Sequence, residues 1–147
     1  ASIDMCVFES VSDKYERILN IEFKHKNTKD KNIAKDILKL LREKQDGSFI
    51  HLLNNTDSGT LRNAKETGVF DKLHKSFTDF KGNWNNENKS IQLIILSLKQ
   101  EILIHREICK TDLDNLKEIF FIDTICGNMT EIKGKEWDVE HKINSNE

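Results

Sequence analysis

The 147 residues suffice for one compact domain with a real core and not for two comfortable ones. Charged residues make up 33% of the chain and the hydrophobic set 37%, yet apolar runs such as Ile91 to Leu98 exclude a wholly disordered chain. The net charge of -2 hides a segregation: Lys14 to Lys44 holds ten Lys/Arg against five Asp/Glu, whereas Thr111 to Glu147 holds nine acids and four lysines.

Cys6, Cys109 and Cys126 are odd in number and far apart, with neither a disulfide framework nor a zinc spacing. No apolar run approaches the roughly 18 residues of a membrane span, and nothing at the start reads as an export leader. We therefore expect a cytoplasmic, reducing setting and no membrane partner.

In chain order, residues 1 to 10 carry apolar side chains on both alternations, Ile3/Met5/Val7 and Cys6/Phe8, with Asp4 the only acid before Glu9. This predicts a strand buried on both sides. Ser12 and Asp13 supply a turn, and residues 17 to 26 resume a strand, so the two runs form an antiparallel hairpin. Asn27 and Thr28 can cap a helix whose apolar stripe is Ile33, Ile37, Leu40 and Leu41, ended by Asp46-Gly47. Residues 48 to 54 read as the next strand, and strand–helix–strand is the crossover unit that sets neighbouring strands parallel.

Two helical stretches are expected around Gly68, the second with Val69, Leu73, Phe77 and Phe80 on one stripe. After the loop at residues 82 to 90, the run from Ile91 to Ile108 reads as a long strand or as a hairpin turning near Lys99-Gln100. Thr111 and Asp114 resemble a capping pair that opens a helix through Phe121. The chain is polar from Thr124, with residues 130 to 143 a candidate edge strand.

The chemistry-bearing stretch is Glu22-Phe23-Lys24. On a strand Glu22 and Lys24 emerge side by side, while Ile21 and Phe23 face the opposite layer. A metal-dependent phosphodiesterase needs carboxylate oxygens for Mg²⁺ and a cation near the attacking water or the phosphate. The bare tripeptide carries no weight, because 13 glutamates and 19 lysines produce it by chance, as at Glu131-Ile132-Lys133. Asp4 supplies the context: a lone acid in a run bound for the core is costly unless a cation between it and Glu22 compensates. The following helix start, positive in potential, favours a phosphate nearby.

Other candidates are weaker. His25 shares the Ile21/Phe23 face and is expected to be packed, and the remaining histidines show no ligand spacing. Asp36 and Lys39, at i and i+3, read as a solvated ion pair. Lys26, Lys35, Lys39 and Arg42 form a basic set suited to a nucleic-acid backbone. Trp84 and Trp137 serve equally well as base-stacking side chains or as structural anchors.

Over residues 3 to 53 this pattern resembles the PD-(D/E)xK nuclease superfamily: residues 2 to 10 look like its metal-binding Asp strand, residues 20 to 26 like its E-x-K strand, and residues 33 to 41 with 48 to 53 like its next helix and strand. The resemblance implies an α/β fold with a mixed central sheet flanked by helices and a restriction-endonuclease-like core. A nuclease-like domain over residues 1 to 123, short of the elements that family places before its Asp strand, would precede a polar tail over 124 to 147. Carried over, Asp4 and Glu22 would ligate Mg²⁺ (or Mn²⁺), the Phe23 carbonyl would add a ligand, and Lys24 would orient or activate the water. Lys39 would match the basic or amide residue such families place on this helix. The implied activity is Mg²⁺-dependent hydrolysis of nucleic acid, DNA foremost, in a homodimer or larger complex where both strands are cut. The rival expectation is a non-catalytic interaction module on a degenerate nuclease fold.

Overall fold

Ser12 and Asp13 both lie in the left-handed region, at φ 45° and 66°. That is the two-residue geometry whose twist suits a tight hairpin, and it joins β1 (Met5–Val11) to an antiparallel β2 (Lys14–His25). The structure is a computed structural model and describes residues 2–121, 132 and 136–141. From β2 the chain crosses through α1 (Asp30–Arg42) to β3 (Asp46–Leu53), which runs parallel to β2 with Glu22 opposite Phe49 and Lys24 opposite His51. A second crossover through α2 (Val69–Phe80) leads to β4 (Ser90–Ser97), parallel to β3. The sheet is completed antiparallel by β5 (Ile102–Cys109) and, after α3 (Leu116–Phe120), by β6 (Asp138–His141).

The fold is therefore α/β, with a six-stranded mixed sheet in the order β1-β2-β3-β4-β5-β6 and flanking helices. The expected β1–β2 hairpin and parallel crossover are present, and of the two readings of Ile91 to Ile108 the hairpin is the one that forms. One alternation of the sheet, including Phe49, Leu53, Ile91, Leu93, Ile95, Ile104 and Ile108, forms a single core with the apolar stripes of α1, α2 and α3. On the other alternation, Leu19, Ile21, Ile50, Leu52, Ile94, Leu96 and Leu103 are half-buried. Among the described residues no helix is long and apolar enough to cross a membrane.

Several local expectations change. β1 is not buried on both sides: Met5 and Phe8 are 49% and 55% exposed, and among the described residues it pairs with β2 alone. The register of the β1–β2 pair shifts between Val7 and Phe8. Residues 60 to 67 are turns and not a helix. A Cβ on Gly68 would stand 2.3 Å from the Leu61 carbonyl oxygen, so this glycine permits a close backbone crossing before α2 begins. The capping pair after β5 is Cys109 with Asp112, whose carboxylate accepts the Cys109 N–H at 2.8 Å, and it opens a short 3-10 turn ahead of α3.

Both tryptophans are anchors. Trp84 is buried, and Trp137 stacks on Phe70 at 4.7 Å while donating to the Ile119 carbonyl at 2.9 Å. Most of the expected polar tail lies outside the described residues, as does the pair Glu131 and Lys133; within it Ile132 is buried and β6 supplies the edge strand.

The last turn of α1 is closed by a lysine from a distant loop. Lys89, 3% exposed, donates to the carbonyls of Leu40 and Leu41, each at 2.7 Å, and to that of Glu43. These are the acceptors a helix end leaves unpaired. Burial pulls the Lys89 ammonium down to about 8. Replacing it by an apolar side chain of similar length strands the carbonyls in a dry environment. Lys89→Met is expected to cost about 2–3 kcal/mol, read from urea denaturation at neutral pH; an unchanged midpoint would mean that water caps the helix instead.

Candidate metal centre

Three elements bring charge to one point. β2 turns Glu22 and Lys24 toward the helix layer. α1 turns Asp36 and Lys39 back toward them, because Asp36 shares the buried stripe of Ile33, Ile37, Leu40 and Leu41. Just ahead of β1, Asp4 accepts the Phe23 N–H at 2.9 Å, which fixes its carboxylate beside the strand. One carboxylate oxygen from each of Asp4, Glu22 and Asp36 lies within 4.8 Å of the others.

Two lysines answer these acids. Lys39 Nζ stands 2.8 Å from Glu22 Oε1 and 3.2 Å from Asp36 Oδ1, and Lys24 pairs with Asp36 Oδ2. Three carboxylates face two ammonium groups, which leaves an excess of negative charge. Glu22 has no exposed surface, and among the described residues its Oε2 has no hydrogen-bond partner.

The electrostatics follow from this geometry. Burial pushes the Glu22 carboxyl up to about 7, against the opposing hydrogen bond from Lys39 and with help from the neighbouring Asp36 and Asp4 charges. The Phe23 N–H holds Asp4 below the usual carboxylate range. Burial would lower Lys39, but its bonds to Glu22 and Asp36 more than offset this and raise it.

The donor set is all oxygen, which suits hard cations such as Mg²⁺, Mn²⁺ or Ca²⁺ and not zinc or copper. Two oxygens on one Mg²⁺ lie at most about 4.2 Å apart, and on Ca²⁺ about 5 Å. Oxygens within 4.8 Å of one another are close enough for one such ion to bring them together. The unpartnered Glu22 oxygen is an acceptor that such an ion would satisfy.

Above the acids opens a recess of about 750 Å³, lined by Asp4, Phe23, Lys24, His25, Thr28, Asn32, Lys35, Asp36 and Lys39. Asp4, Glu22 and Lys24 thus converge, although Asp4 is exposed at the mouth and Glu22 is the buried member. The Phe23 carbonyl accepts from Lys24 at 3.2 Å, so it becomes a metal ligand only by exchanging that partner. Lys35 and Lys39 border the recess. Arg42, one turn beyond Lys39, is exposed outside it, and Lys26 faces a separate cavity. His25 is exposed rather than packed.

Two residues escaped the sequence reading. Asp36 is not a solvated partner of Lys39 but is 3% exposed, and an acid on an apolar helical stripe was the available signal. His51 is fully buried, with Nε2 at 2.6 Å from the Lys26 carbonyl, where it holds the turn after β2 with Lys26 in the left-handed region at φ 59°. Its burial lowers its pKa, so the neutral ring donates from Nε2 to that carbonyl.

Comparison with models of protein families, with curated proteins and with solved structures finds no match for this chain.

The Glu22 carboxyl titrates at about 7 in the fold against 4.5 for an ordinary glutamate. The folded chain holds the extra proton between these values. Its contribution to stability is complete below pH 4.5 and is lost as the pH rises through 7. In metal-free buffer the wild type should lose on the order of 3 kcal/mol across this window relative to Glu22→Gln, whose amide does not titrate. Urea melts at about pH 4.5 and pH 7.5 measure the difference, and parallel behaviour of the two proteins would show that Glu22 ionises normally.

Proposed function

We propose that this protein is a metal-dependent phosphodiester hydrolase acting on nucleic acid, with Asp4, Glu22 and Asp36 as the metal-binding acids and Lys24 as the cation at the reacting phosphate. The observation that carries this reading is the buried, unpartnered Oε2 of Glu22 beside two carboxylates supplied by separate elements. A fully buried carboxylate with one oxygen left unpaired, although Lys39 answers the other, is a cost that a fold retains where the group is used. The order hairpin, helix, parallel strand over residues 3 to 53 also agrees with the PD-(D/E)xK resemblance.

A divalent cation, when bound, supplies Lewis-acid stabilisation of charge on phosphate oxygens and lowers the pKa of an attacking water. The chain's own groups do the rest. Glu22 and Asp36 stand on rigid elements, and Asp4 is oriented by the Phe23 N–H. Lys24, at the rim of the recess, is positioned to hold a phosphate oxygen or orient the water. Lys35, Thr28 and Asn32 offer further cationic and neutral donors to the backbone of the substrate.

A second reading has its own support. Lys24 with Asp36 and Lys39 with Glu22 already form ion pairs, which is what a non-catalytic module on the same fold would need to stay folded without metal.

Calorimetry with Mn²⁺ separates the two: the hydrolase is expected to give a binding heat that Glu22→Ala abolishes, and no heat, even with DNA present, leaves the module. With Mg²⁺ and plasmid, linear and single-stranded DNA, Lys24→Ala should slow cleavage by about 100-fold or more. Equal rates for wild type and Lys24→Ala would assign the cleavage to another site or to a contaminant.

A further inference from the structure

A second cavity adjoins the acidic recess on the far side of the turn that follows β2. His25 and Thr28 line the recess, whereas Lys26 and Asn27, between them in sequence, line the cavity. The turn is a rigid partition. His51 holds the Lys26 carbonyl from below, the Lys26 N–H donates to the Leu52 carbonyl at 2.8 Å, and Lys72 Nζ bonds Asn27 Oδ1 at 3.0 Å and the Thr28 carbonyl at 2.6 Å.

The opposite wall is the loop from Asn54 to Gly68. Connections of that length without a helix or strand are uncommon in compact domains and are usually functional when ordered. This one is braced throughout. Asn63 donates to the Gly59 carbonyl and to Thr67 Oγ1, each at 2.9 Å, and Val69 and Phe70 N–H groups bond back to Thr60 and Leu61. Asp71 accepts the Gly68 N–H at 3.0 Å, and the Thr56 N–H donates to Gln100 at 3.1 Å. The wall is pre-formed and does not need to fold around a ligand.

The cavity measures about 360 Å³, within the usual range of small-molecule pockets. Its floor is apolar, from Leu53 and Val69. Its rim carries the amides of Asn27, Asn54 and Asn55, and among the described residues that line it Lys26 is the one cation and none is a carboxylate. The Asn54 and Lys26 side chains have no hydrogen-bond partner among the described residues, and Asn27 keeps its NH₂ donors. Apolar faces with neutral, in-plane amide donors and acceptors are what recognise the face and the edge of a nucleobase. A base inside a duplex does not reach a concave pocket of this kind, because its faces are stacked and its edge is paired.

We propose that this cavity is a nucleobase pocket, and that the substrate is nucleic acid with an unstacked nucleotide next to the scissile phosphate: a single strand, a loop or a frayed end. The inference rests on the hydrolase reading for the position of the phosphate and narrows its substrate. The phosphate lies over the acids beside Lys24, the chain passes the partition at Thr28, and the adjoining base enters between Asn27 and Asn54 with Lys26 at its phosphate.

The test compares three fluorescent 12-nucleotide probes by anisotropy in Mn²⁺: a single strand, its blunt duplex, and the same strand with abasic sites throughout. The wild type should bind the single strand at least tenfold more tightly than the other two. Asn54→Trp, which fills the pocket from an exposed position, and Asn27→Ala, which removes one amide, should each bring the single strand close to the abasic probe. Equal affinity for the abasic and normal strands, or for duplex and single strand, overturns the proposal, as does undiminished selectivity in both variants. The Mn²⁺ heat measured on the same samples reports the acidic centre by itself: base selectivity without that heat upholds the pocket and sinks the hydrolase, and heat without selectivity does the reverse.

Discussion

A carboxylate with no exposed surface, Glu22, is inserted between the sheet and α1, and the architecture around it is arranged to answer its charge. Lys39 reaches it from the helix, Asp36 shares that lysine, and Lys24 returns from the same strand to Asp36. The alternation along β2 and the 3.6-residue period of α1 must stay in register for these four groups to meet. A one-residue slip of the strand would turn Glu22 and Lys24 to the other face of the sheet. The crossover from β2 through α1 to β3 is thus both the scaffold of the core and the frame of the charged centre.

That frame is held at both ends by buried polar groups that come from elsewhere in the sequence. Lys89 closes the carbonyl end of α1 from a loop 49 positions beyond Leu40, and His51 holds the turn after β2 from the neighbouring strand. Neither residue touches the acids. Each satisfies backbone groups that would otherwise be unpaired in a dry place, and so fixes the distance between the helix and the strand whose side chains make the centre. The same turn after β2 separates the acidic recess from the amide-lined cavity, so its conformation sets the spacing of any ligand that spans both.

The elements built from local patterns were legible in advance. The β1–β2 hairpin followed from Ser12-Asp13 between apolar runs and α1 from the Ile33/Ile37/Leu40/Leu41 stripe, whereas Ile91 to Ile108 read equally as one long strand or as the hairpin that forms at Lys99-Gln100. Features that depend on how many neighbours an element acquires were not. The apolar residues of β1 pointed to a strand buried on both faces, yet Met5 and Phe8 are largely exposed, because what packs over a strand is not written in its own residues. Asp36 with Lys39 has the spacing of a surface pair, and only the packing of α1 on β2 makes it a buried one. The loop over residues 60 to 67 lost its expected helix to a backbone crossing at Gly68.

By itself the sequence determined the α/β class, the hairpin–helix–strand order and the presence of Glu22 and Lys24 on one face of a strand, since each follows from periodicity over a few residues. Tertiary structure alone decided that Asp36 joins Asp4 and Glu22, that Glu22 rather than Asp4 is the buried acid, and that a second cavity stands next to them. The physical reason is desolvation: a side chain's solvent exposure and partners, and hence its charge, depend on which surfaces are pressed together over long sequence separations, and no local pattern encodes that.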